Sequence, residues 1–78
     1  MQIKVITTIQ FPFQDDRNTT EVEYLPVKTV KEAVLHIQKE YNNCSLHVVE
    51  MTHDYILLTG HLLTGWQPTI VILVYNEG

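Results

Sequence analysis

The stretch Ile70-Val71-Ile72-Leu73-Val74-Tyr75 places large apolar side chains side by side with no polar interruption. Adjacent residues of a strand point to opposite faces, so this run reads as a strand that is apolar on both sides and central in a sheet. Leu46 to Met51 and Tyr55 to Leu58 are likewise apolar at both parities. Aromatic and β-branched content supports strands over Ser45 to Thr52, Tyr55 to Thr59 and Thr69 to Tyr75. Gly60 to Pro68, with two glycines, a proline and Trp66, reads as a loop with a short extra strand or turn at Leu62-Leu63.

Upstream, Ile3, Val5, Ile9, Phe11 and Phe13 occupy odd positions and alternate with mostly polar even ones, which marks a half-buried strand ending near Pro12. Gln14 to Asn18 supplies turn chemistry, and Thr20, Val22 and Tyr24 then alternate with Glu21 and Glu23, giving a hairpin whose glutamates face water. Thr29-Val30-Lys31-Glu32 fits a capping box and predicts a helix start. At 100° per residue Val30, Ala33, Val34, Ile37 and Tyr41 fall within an arc of roughly 100°, the width of a core-facing stripe. Asn42 and Asn43 suit a helix exit. The element order is β-β-α-β-β-β, a single α+β domain spanning 1–78, with one helix on a mixed or antiparallel sheet of four to five strands.

This inventory has a geometric consequence. A 13-residue helix is about 20 Å long, and four strands side by side span roughly 15 to 19 Å, so one helix covers one face and leaves the other. Either a protein partner or a second copy dries that other face, or the Gly60 to Pro68 loop folds over it with Trp66 as anchor. The first alternative gives Val49, Met51, Trp66, Val71, Leu73 and Tyr75 as contact residues; if the parity of the last strand is reversed, Ile70, Ile72 and Val74 take the place of Val71, Leu73 and Tyr75. Leu35 lies off the helix stripe and is a further candidate contact.

Composition narrows the class. The 78 residues are 45% hydrophobic and 18% charged, with net charge −4. That describes a globular chain with fewer charges than usual. The five basic residues are scattered, which argues against direct binding of nucleic acid. Asp15 and Asp16, with Glu21 and Glu23, form a local negative patch suited to a basic partner. Cys44 is the sole cysteine, so no internal disulfide forms and a reducing, cytoplasmic setting is expected. Neither a signal peptide nor a membrane-spanning run is read in the sequence.

No catalytic constellation, phosphate loop or specific metal motif is legible, so we expect neither enzymatic activity nor a cofactor, and no small-molecule substrate is evident. His47 and His53, at one parity of one strand, stand about 20 Å apart and do not share an ion unless a bulge or turn intervenes. Glu32, His36 and Glu40 stack along one helix face, either as a solvated row with weak ion pairs or as a carboxylate-steered proton or metal site, and the solvated row is the preferred reading. Cys44 lacks the positive surroundings that activate a thiol.

Met1-Gln2-Ile3-Lys4-Val5, Glu21-Val22-Glu23, Thr29-Val30 and Ile37-Gln38-Lys39-Glu40, in this element order, resemble ubiquitin and the wider β-grasp superfamily. Leu63-Thr64-Gly65 followed by the strand from Ile70 to Tyr75 is similar to the related sulfur-carrier proteins. The resemblance implies a β-grasp-like fold that binds proteins through an open sheet face. It also implies, as the alternative function, a ubiquitin-like modifier or sulfur carrier; there the family uses a carboxy-terminal diglycine, of which only Gly78 matches. The layout further resembles small acidic bacteriophage inhibitors of host polymerases or CRISPR complexes. The leading expectation is thus a non-enzymatic protein-binding module that acts as a homodimer or by docking on a larger protein.

Overall fold

The computed structural model describes residues 2–12, 18–42, 44–63 and 68–77. Among these, the chain runs β1 (Ile3–Gln10), β2 (Thr19–Leu25), α1 (Val30–Glu40), β3 (Cys44–Met51), β4 (Tyr55–Leu62) and β5 (Thr69–Asn76). The strands lie side by side in the order β2-β1-β5-β4-β3, and every neighbouring pair is antiparallel. β5 is therefore central, as its uninterrupted apolar run requires. Asp15, Asp16, Trp66 and Gly78 lie outside the described residues, as does most of the loop expected to fold over the sheet.

Topology sets the place of the helix. β2 and β3 are opposite edges of the sheet, so the segment joining them must cross one whole face. Five strands span about 19 Å between edge axes, and an 11-residue helix measures about 16 Å. Thr29 starts it: the threonine Oγ1 accepts from the Glu32 amide at 3.1 Å, while the Glu32 carboxylate reaches back to the Lys28 amide at 3.5 Å. Val30, Ala33, Val34 and Ile37 are buried, and Tyr41 packs beside them half-buried.

Under this helix the sheet contributes Ile3 and Val5 of β1, Leu25 of β2, Ile56 and Leu58 of β4, and Ile70, Ile72 and Val74 of β5. Ile3, Ile37, Leu58, Ile70, Ile72 and Val74 are wholly buried. Thr7 breaks the apolar alternation of β1 yet stays on its inward side at 5% exposure. The parity of β5 is thereby fixed: the even residues meet the helix, and Val71, Leu73 and Tyr75 face away.

Three sequence expectations change. Gly60, His61 and Leu62 belong to β4 rather than to a loop, and Gly60 pairs with Leu46. Gly60 is needed for space: a Cβ there would collide with the Ser45 carbonyl. In β2, Val22 and Tyr24 are 53% and 51% exposed instead of inward-facing. Pairing of Glu23 with Val5 and of Val22 with Ile6 places the glutamates on the helix side, where they remain exposed as expected, and the apolar residues on the other. Finally, His53 lies in the bend between β3 and β4 and not on the strand that carries His47. That bend is held by Thr52, whose Oγ1 accepts from the amides of Asp54 and Tyr55 at 3.2 and 3.1 Å.

Candidate functional site

On the face opposite α1, strand register assembles two rows that cross the sheet. Ile6 stands opposite Val22 on one side and Leu73 on the other, and Leu73 stands opposite Leu57. Glu50 ends this aliphatic row beside Leu57. One pleat along, Lys4 lies between Tyr24 and Tyr75, and Tyr75 stands opposite Tyr55. Directly opposed residues share a face and lie within contact of one another. A third row, Thr20, Thr8, Val71, Thr59 and His47, is mostly polar. The apolar surface is thus concentrated at one end of the face.

These side chains support each other sideways, and no described element covers them from above. Ile6, Tyr55, Leu57, Val71, Leu73 and Tyr75 are each only half-buried, in contrast to the closed opposite side. A trough of about 570 Å³ runs over the face, lined by Ile6, Leu57, Leu73, Tyr55, Tyr75 and Glu50, with Asp54 and Asn76 at its end.

Polar groups fix the tyrosine row. The Lys4 ammonium lies 5.8 Å from the ring centroids of both Tyr24 and Tyr75, within cation–π range, and 3.6 Å from the Glu77 carboxylate. Its hydrogen bond to Tyr75 raises its pKa above the usual 10.5, with desolvation opposing and Glu77 assisting. The Tyr55 hydroxyl donates to Glu50 at 2.6 Å, and this bond, with some desolvation, raises the phenol above its usual 10.0. That contact draws the Glu50 carboxylate along the strand toward the tyrosines.

The remaining contact residues expected from sequence divide. Val71, Leu73 and Tyr75 sit together on the open face. Met51 does not join them, because a bulge at Val49 shifts the register between Val48 and Glu50. The extra residue reverses parity: Glu50 pairs with Leu57 on the open side, and Met51 pairs with Ile56 on the helix side. Val49 and Met51, 55% and 69% exposed, instead form an apolar fringe on the β3 edge. Leu35 is exposed on the outer surface of α1. Sequence reading missed Lys4, Ile6, Val22, Tyr24, Tyr55 and Leu57, since only the register β2-β1-β5-β4 brings them into one patch.

Other chemistry is sparse among the described residues. No group of three metal-ligating side chains converges there. His36 and Glu40 are 3.7 Å apart on the exposed helix surface. Cys44 begins β3 half-buried, and desolvation raises its pKa, which keeps the thiol protonated and weakly nucleophilic. Among the described residues no helix is long and apolar enough to cross a membrane. Comparison with protein families, curated proteins and solved structures finds no match to this chain.

Proposed function

We propose that this chain is a non-enzymatic protein-binding module that docks through the open face of its sheet. The observation that carries the reading is the paired aliphatic and tyrosine rows on Ile6, Leu73, Leu57, Tyr75 and Tyr55, half-buried on the side that α1 leaves free. Tyrosines offer large, stiff contact area with a polar tip, which favours their use where a surface is wet in one state and dry in another. The polar third row then serves as part of the rim. Burying five or six such side chains against a partner is worth about 10 kcal/mol gross, before the cost of association is subtracted.

A photo-reactive benzophenone side chain placed at position 73 tests the proposal, with Gln38 on the outer helix surface as control. Irradiation in extract of the cells that make the protein should give protein adducts, whether to itself or to another chain, from position 73 and not from position 38. No adduct from position 73, or equal yields from both, overturns it.

A further inference from the structure

The open face carries its charges in an arrangement that fits itself. Lys4 on β1 is the one lysine or arginine on the described part of this face, and it lies one strand to one side of β5. Tyr55 on β4 lies one strand to the other side, at the same level, since both residues pair with Tyr75. Its hydroxyl holds the Glu50 carboxylate at 2.6 Å. Rotation of a second copy by half a turn about an axis close to β5 exchanges these two positions. Lys4 of each copy then lies over the Tyr55–Glu50 pair of the other, Tyr75 meets Tyr75, and Leu73 meets Leu73. Sheets packed face to face keep their strands within about 30° of alignment at about 10 Å separation, which this axis satisfies.

We propose that the occupant of the open face is a second copy of this chain, in a two-fold dimer closed by reciprocal Lys4–Glu50 contacts. The proposal rests on the protein-binding reading above and names its partner. In the single chain Lys4 is paired with Glu77 at 3.6 Å; an ammonium has three protons to donate, so it takes a further carboxylate without losing the first. The area suffices. Five strands at about 4.8 Å spacing and about 27 Å of strand length give a face of roughly 650 Å². Two such faces bury roughly 1,300 Å², at the lower end of stable specific interfaces. Such a dimer has a dissociation constant of about 1 to 100 μM.

Sedimentation equilibrium of the purified chain, from the low micromolar range upward, tests this. The wild type should pass from monomer to dimer. Lys4→Glu and Glu50→Lys should each weaken the dimer by about tenfold or more, and the combined exchange should restore most of that loss. Leu73→Lys should leave a monomer whose circular dichroism spectrum is unchanged. A wild type that stays monomeric at about 500 μM, a dimer untouched by Leu73→Lys, or a double exchange no better than the single ones overturns the second-copy assignment. If benzophenone at position 73 still couples to a different protein in that event, the docking reading stands and only the identity of the partner falls.

Discussion

Gly60 lies where β4 passes closest to β3, and a methyl group at its Cβ would press on the Ser45 carbonyl and carbon, both backbone atoms that cannot swing aside. Gly60→Ala should therefore destabilise the fold by about 2 to 3 kcal/mol, as overpacking does, measured by urea unfolding; a change under 0.5 would refute the close approach. Thr29 acts locally too, its Oγ1 satisfying the Glu32 amide, and Thr29→Ala should cost about 1 kcal/mol in the same assay. The Tyr55 phenol gives a pH signature. Its pKa is raised by the hydrogen bond to Glu50, so the stabilisation is present in full below the ordinary value of 10.0 and is lost as pH climbs through the higher folded value. Phenolate absorbance followed through alkaline titration should show a late-ionising tyrosine that Tyr55→Phe removes. Tyr41, raised chiefly by desolvation, should remain late in that variant. A titration curve unchanged in shape by Tyr55→Phe contradicts the Glu50 contact.

Alternation along β5 separates two neighbours that look equivalent in sequence. Ile72 is wholly buried beneath α1, whereas Leu73 is half-buried on the open side. Ile72→Ala should cost about 3 to 4 kcal/mol and Leu73→Ala about 1, read as shifts in unfolding midpoint at dilute concentration; equal losses would mean that both sides are closed within one chain. Succession of strands and helix was legible because periodicity, the Thr29 cap and the apolar run from Ile70 to Tyr75 are local signals. Lateral order was not, since nothing local tells β1 to lie against β5. The bulge at Val49 was equally hidden, and it turns Met51 from an expected face residue into an edge residue. Gly60 misled in the opposite sense: a glycine read as a turn marks close strand contact here. Bulge and exposed side chains on β3 also bend an edge that would otherwise invite strand addition.

Across the molecule, one crossing from edge to edge supplies one helix, and that helix closes one face. Alternation made one set of β5 residues legible as open-facing but left Val71, Leu73 and Tyr75 and their neighbours Ile70, Ile72 and Val74 as alternatives until the core fixed the choice. The patch depends on four strands brought into register. In the proposed dimer Lys4 and Glu50, distant in sequence, become a charge pair across the two copies. The central claim is that the described residues of the chain leave this face unburied. Urea unfolding of wild type and Leu73→Lys at about 1 μM, dilute enough that association contributes little, tests it most directly. The account predicts stabilities within about 1 kcal/mol of each other, because a lysine stem lies along the neighbouring side chains with its charge in water. A loss of about 3 kcal/mol or more, the mark of a charge forced into a closed core, would contradict it.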